Sequence, residues 1–134
     1  MPDTKYRLST AVVDINILQG TTYWENWILR FKDTGDSFPF FNENGDLEWK
    51  GRCMFRASYG DEVPLLSLDS DDLGGVVITL EVAIASYGLL LSAVQTSALP
   101  SGRLVYDIEF ERLSDGWVIR PQKGTAIIDP EATK

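Results

Sequence analysis

The sequence predicts an all-β fold, an antiparallel β-sandwich of about seven or eight strands with one short helix near residues 92–99. Three observations predict it. Apolar and polar residues alternate with a period of two in several runs, turn-forming residues separate those runs, and one segment alone carries helix signals. Short strands at such spacing are typical of immunoglobulin-like and jelly-roll-like sandwiches.

Alternation places the strands. In the run 103–111, Leu104, Tyr106, Ile108 and Phe110 take one face and charged residues take the other, so one face is expected to be core and the other solvent. Further strands are predicted over 13–17, 27–32, 52–57, 76–81, 117–120 and 125–128, with a weaker one at 65–68 that Pro64 places at a sheet edge or strand start.

Local signals fix one hairpin and the helix. Asp115-Gly116 supplies the positive φ that a tight connection needs, so it predicts a hairpin between the strands on either side. Ser92 and Gln95 have the spacing of a capping box, and Pro100 ends the helix that begins there. No repeat or second hydrophobic pattern divides the chain, so residues 1–134 are predicted to form one domain with loose ends at 1–5 and 129–134.

Composition excludes several classes of function. Twelve basic residues against 20 acidic ones give a formal charge of −8, and without a basic stripe the chain is not expected to bind nucleic acid. Histidine is absent and Cys53 is the one cysteine, which excludes an internal disulfide, Cys/His zinc sites and His-based triads. Cys53 is expected to be a buried hydrophobe. No signal peptide or membrane-spanning run is recognised, so synthesis in a reducing cytosol is expected and no membrane partner is predicted.

Acidic residues give the remaining chemical candidates. Asp69, Asp71 and Asp72 precede a glycine as in a calcium loop, but the Glu that such a loop requires is missing, which favours a solvated acidic turn. Two carboxylate pairs lack the apolar burial that raises a catalytic pKa, namely Asp61 with Glu62 and Glu109 with Glu111. No glycine-rich phosphate loop is present either. We therefore predict no catalytic residue, no metal, no cofactor and no enzymatic activity.

Aromatic residues are concentrated in the first 49 positions. Trp27 with Leu29 and Phe31 is expected to be core, whereas the run 37–41 lies between turn signals and is either a loop folded back on the core or a surface presented to a partner. A sugar-stacking platform with Trp24 and Trp49 is the third alternative. Candidate protein-interface residues are Phe38, Phe40, Phe41, Trp24 and Trp49. On this hypothesis Phe40→Ser with Phe41→Ser weakens association and spares the fold.

The order of features resembles the small β-sandwich proteins and domains encoded among tail genes of tailed bacteriophages, including the amino-terminal domain of baseplate upper proteins. The resemblance spans about residues 15–133, and its most specific part is 98–109, an Ala-Leu-Pro-x-Gly turn that enters a strand containing Tyr-Asp. Its other parts are 18–23, Asp46-Leu47, 51–56, 75–80 and 123–133. Two segments depart from the family pattern, a longer and more aromatic 33–49 and the less apolar 119–122.

The resemblance implies a virion structural role in the tail or baseplate, with synthesis in the cytoplasm of the bacterial host. Expected partners are other tail proteins, receptor-binding fibres and copies of the chain itself, joined through sheet edges, apolar loops and extended ends such as 1–10 and 129–134. Two alternatives stay open: a cement or decoration protein of the capsid, and a carbohydrate-binding module.

Overall fold

The computed structural model describes residues 10–31, 34–71, 75–81 and 84–130, and for 79–81 and 84–85 it describes the backbone alone. Over these ranges the chain forms nine strands and one helix. They are β1 (Ala11–Val12), β2 (Ile15–Leu18), β3 (Tyr23–Trp27), β4 (Trp49–Arg56), β5 (Leu66–Asp69), β6 (Val76–Glu81), β7 (Ile84–Leu91), α1 (Ala93–Ala98), β8 (Gly102–Arg112) and β9 (Val118–Asp129).

Two sheets pack face to face, which confirms the predicted sandwich. The larger one has the order β1-β9-β8-β4-β5 with β2 also paired to β9, and the smaller one has the order β3-β7-β6. Among the named strands pairing is antiparallel except where β1 and β2 run parallel to β9. Since β8 lies between β9 and β4, and β7 between β3 and β6, the connectivity is that of the immunoglobulin-like alternative.

Most of the predicted strands are observed. The Asp115-Gly116 turn joins β8 to β9, and the runs predicted at 117–120 and 125–128 belong to one strand, β9. Its pairing with β8 shifts between Ile108 and Phe110. Pro121 lies at this bulge, where a strand tolerates a residue without an N–H donor. β5 is an edge strand, as Pro64 indicated.

One strand prediction is corrected, and one observed strand was not predicted. The strand predicted at 27–32 lies instead at Tyr23–Trp27, and β7 was not predicted. In β7 Leu89 and Leu91 are buried while Leu90 is exposed, so an apolar residue on the solvent face hides the alternation.

Helix α1 has the predicted capping box. Gln95 N donates to Ser92 Oγ at 3.1 Å and Ser92 N donates to Gln95 Oε1 at 2.9 Å. At the end of β9, Asp129 pairs with Leu18 and its carbonyl accepts a hydrogen bond from Gln19 N, so the loose end predicted from residue 129 does not include it. Residues 1–5 and 131–134 lie outside the described residues.

Candidate functional site

The five residues predicted as an interface do not lie together on a surface. Phe38, Phe40 and Trp49 are buried in the core, Phe41 is half-buried against it, and Trp24 is 50% exposed. A side chain without accessible surface cannot contact a partner unless the core opens. The interface prediction is therefore wrong for Phe38, Phe40 and Trp49, whereas for the half-buried Phe41 and the half-exposed Trp24 it stays a prediction.

The 37–41 loop is the folded-back alternative. Phe38 and Phe40 point inward, with ring centroids 4.9 Å apart, and the Phe38 ring lies 5.1 Å from that of Trp49. Phe40 also contacts Phe110 of the larger sheet, at 4.8 Å, and Tyr87 of the smaller one, at 6.2 Å. The loop therefore fills the space between the sheets with aromatic rings.

Trp24 lies on the outer face of the smaller sheet. It pairs with Leu90 across β3 and β7, and its ring covers Gly88, where an added Cβ would lie 2.8 Å from Trp24 Cη2. On the opposite side of β7, Val77 of β6 pairs with Gly88. We call Trp24, Val77, Gly88 and Leu90 the apolar face. Alternation and strand register place Asn26 and Ser86 on the same side, and among the side chains described at these outward positions none is charged.

A groove of about 710 Å³ continues from the apolar face around the edge strand β6. Leu90 is 43% exposed beside it, and Leu47 also has an exposed side chain there. The groove is lined by Thr22, Leu47, Ser70, Asp71, Gly75, Val76, Val77, Ile78, Leu90, Ser92 and Gln95. Sequence reasoning missed Val77 and Leu90, because an apolar residue on the solvent face of a strand looks like core in a short apolar run.

The outer face of the larger sheet is charged instead. Arg52 pairs with Glu109 at 3.4 Å and with Glu111 at 3.2 Å, and Arg120 pairs with Glu109 at 3.1 Å and with Asp107 at 3.5 Å. The carboxylates considered as a catalytic pair are thus the acidic half of an ion-pair network. They lie on the charged side of β8, as alternation predicted.

At one end of this face the charged residues line a concave site of about 560 Å³, which we call the polar groove. Burial raises the pKa of Asp107 there, against the opposing effect of the Arg120 guanidinium. Tyr59 is 55% exposed, its hydroxyl donates to Gly124 O at 3.2 Å, and Lys123 Nζ lies 5.7 Å from its ring centroid. The polar groove is lined by Arg56, Tyr59, Asp61, Glu62, Asp107, Glu109, Arg120 and Lys123. The sequence pointed to three of these carboxylates as possible catalytic acids, namely Asp61, Glu62 and Glu109. No pattern in the sequence pointed to the cations Arg56, Arg120 and Lys123.

The acidic turn shows no assembled ligand set. Asp69 Oδ1 accepts a hydrogen bond from Asp71 N at 3.1 Å, an arrangement that stabilises the turn itself. Asp72 lies outside the described residues, and among those described no three acidic or sulfur side chains are grouped as a metal would need. Cys53 is buried as predicted, and burial raises the pKa of its thiol.

Comparison with models of protein families finds no match, and comparison with curated proteins finds none either. In the described part of the chain, no helix has the length and apolar character needed to cross a membrane.

Proposed function

We propose that the chain is a structural protein of a bacteriophage tail or baseplate, and that it attaches to a neighbouring tail protein through the apolar face. The attachment surface is thus the outer face of the smaller sheet rather than the aromatic loop. The chain then acts as an adaptor, which holds receptor-binding fibres or further tail proteins on the particle. The resemblance in residues 15–133 supports the virion role, and the sandwich fold agrees with what that resemblance implies.

The contrast between the two outer faces carries the choice of surface. Exposed tryptophan and an absence of charge distinguish the centres of protein interfaces from ordinary surface. In a chain in which 24% of the residues are charged, the apolar face presents Trp24, Val77 and Leu90 without a described charge, while the opposite sheet carries the ion-pair network. An interface that buries the apolar face loses water from apolar groups and desolvates few charges.

Size decides what kind of contact this is. Three strands of about six residues offer roughly 300 Å² of sheet surface, whereas a stable pair of proteins buries about 800 Å² on each partner. A dimer held by the apolar face alone is therefore not expected in dilute solution. Such a contact becomes stable when many copies are linked in one particle, because each further contact is intramolecular.

The structure bears differently on the two alternative functions, a carbohydrate-binding module and a capsid cement protein. A carbohydrate platform built on Trp24 and Trp49 loses one of its two rings, since Trp49 is buried. A capsid cement protein would use the same apolar face, so it differs from our proposal in where the chain lies in the particle. Labelling purified particles with an antibody against the chain distinguishes the two, since we expect label on tails and a cement protein would label capsids.

The experiment on the surface compares two double variants in phage that carry the gene. Trp24→Ser with Leu90→Ser removes the apolar face, whereas Val63→Ser with Val94→Ser removes two valines that are 79% and 80% exposed elsewhere. From the area lost we expect the first variant to bind its neighbour on the order of 100-fold more weakly. It should be depleted from particles at normal melting temperature, while the control variant is incorporated fully.

Equal incorporation of the two folded variants would remove the apolar face from the proposal. Absence of the wild-type chain from purified particles would overturn the virion role itself.

A further inference from the structure

The polar groove lies on the sheet opposite the apolar face, and the attachment proposed above does not use it. Its floor is formed by regular strands: Asp107 and Glu109 come from β8, and Arg120 and Lys123 come from β9. Regular strands fix the backbone positions from which these side chains extend, which favours a preorganised site. Its volume of about 560 Å³ is in the range of small-molecule sites.

Hydrogen bonds already hold several lining groups in place. Arg120 contacts both acids of β8, and Tyr59 is tied to the β9 backbone by its hydroxyl and lies beside the Lys123 ammonium. With Lys123 near its ring and about half of its surface exposed, Tyr59 presents an accessible aromatic wall. The groove therefore combines fixed charges with an apolar ring, rather than being a row of separate solvated side chains.

Charge balance indicates the class of ligand. Three cations and four carboxylates line the groove in the described structure, so neither sign dominates. A phosphate or carboxylate ligand would meet four like charges and a chain of net charge −8, and a cation would meet three. A neutral ligand rich in hydroxyl groups avoids both costs, because each hydroxyl donates to a carboxylate and accepts from a guanidinium or ammonium.

We propose that the polar groove binds a neutral saccharide, with Tyr59 packing against the apolar face of a sugar ring and the charged side chains bonding its hydroxyl groups. Adjacent hydroxyls fit the paired oxygens of a carboxylate and the paired N–H groups of arginine. Asp107 supplies an acceptor in the more buried part of the site, where a hydrogen bond gains most from the exclusion of water.

A printed array of neutral and acidic glycans, probed with the labelled full-length chain, tests the class of ligand. We expect neutral glycans to bind and acidic ones not to bind. Tyr59→Ala and Arg120→Gln should each weaken binding of the best neutral glycan at least tenfold with an unchanged fold. Trp24→Ala is the matched aromatic control on the opposite sheet, and it should leave binding unchanged.

Titration of the isotope-labelled chain with that glycan gives a second measurement. Amide shifts should concentrate at 56–62, 107–109 and 120–124. Absence of binding to any glycan on the array would overturn the proposal and leave the groove a solvated ion-pair surface. Binding restricted to acidic glycans would overturn it, as would binding that survives both groove variants or is lost in Trp24→Ala.

Discussion

At the residue scale, the aromatic surplus is divided between core and surface in a way that sequence cannot specify. Phe38 and Phe40 lie between turn signals, which is where an exposed contact loop and a loop folded back on the core look alike. Only the tertiary structure distinguishes the two cases. The space that the two rings fill lies between two sheets, whose strands are far apart in the sequence. The burial of Cys53 was predictable, because it lies in the clearly alternating run 52–57, which belongs largely to β4.

Phe40→Ser is expected to destabilise the fold rather than to spare it. The ring is fully buried and contacts both sheets, so its loss removes apolar contacts and leaves a cavity, at a cost of about 3–5 kcal/mol. Denaturant unfolding of the isolated chain measures this cost. Phe41→Ser is the control, and the smaller burial of Phe41 predicts a smaller loss. Equal, small losses for the two variants would show that Phe40 does not belong to the core.

At the scale of elements, local signals predicted structure best. The β8–β9 hairpin and helix α1 depend on residues a few positions apart, such as Asp115-Gly116 and the Ser92/Gln95 capping box, and both are observed. β7 could not be predicted from alternation, because Gly88 is covered by Trp24 and Leu90 is apolar on the outer face. The polar groove was likewise hidden, since its members come from three strands and a turn.

A buried hydroxyl holds helix α1 to the β2–β3 turn, in addition to the bond that Gln19 Nε2 donates to Leu99 O at 2.7 Å. Thr96 Oγ1 accepts from Gly20 N at 3.1 Å and donates to Thr21 O at 2.8 Å. Thr96→Val keeps the shape of the side chain but leaves both backbone groups without that partner, which should cost about 1–3 kcal/mol. Denaturant unfolding and hydrogen exchange at the Gly20 amide measure the effect.

Thr96→Ser is the matched control for this contact, because it keeps the hydroxyl and loses a methyl group. We expect the serine variant to retain protection of the Gly20 amide. Equal protection in the valine and serine variants would contradict an anchoring role for the hydroxyl.

At the scale of the whole molecule, a buried chain of hydrogen bonds joins the two sheets. Tyr87 of β7 donates to Gln122 Oε1 at 2.6 Å, Gln122 Nε2 donates to Tyr106 Oη at 2.9 Å, and Tyr106 donates to Val13 O at 2.5 Å. Gln122 is one of two buried polar residues in the described part of the chain, and it lies beside the β9 bulge. All of these hydrogen bonds are made in the observed register of the strands. They therefore favour the observed packing of the sheets over one in which a strand has slipped.

Alkaline pH tests this connection between the sheets. Burial raises the pKa of both Tyr87 and Tyr106 above the ordinary value near 10, so the folded state holds their protons more tightly than the unfolded state does. The resulting stability is complete below the unfolded pKa and is lost as pH rises beyond it. At about pH 11 the loss should approach 1.4 kcal/mol for each buried tyrosine. Denaturant unfolding between about pH 9 and 11 should show a shallower decline for Tyr87→Phe than for the wild type. Tyr59→Phe is the control at a half-exposed position, and it should change the decline less. Identical declines in Tyr87→Phe and the wild type would mean that Tyr87 ionises as freely in the folded chain as in the unfolded one.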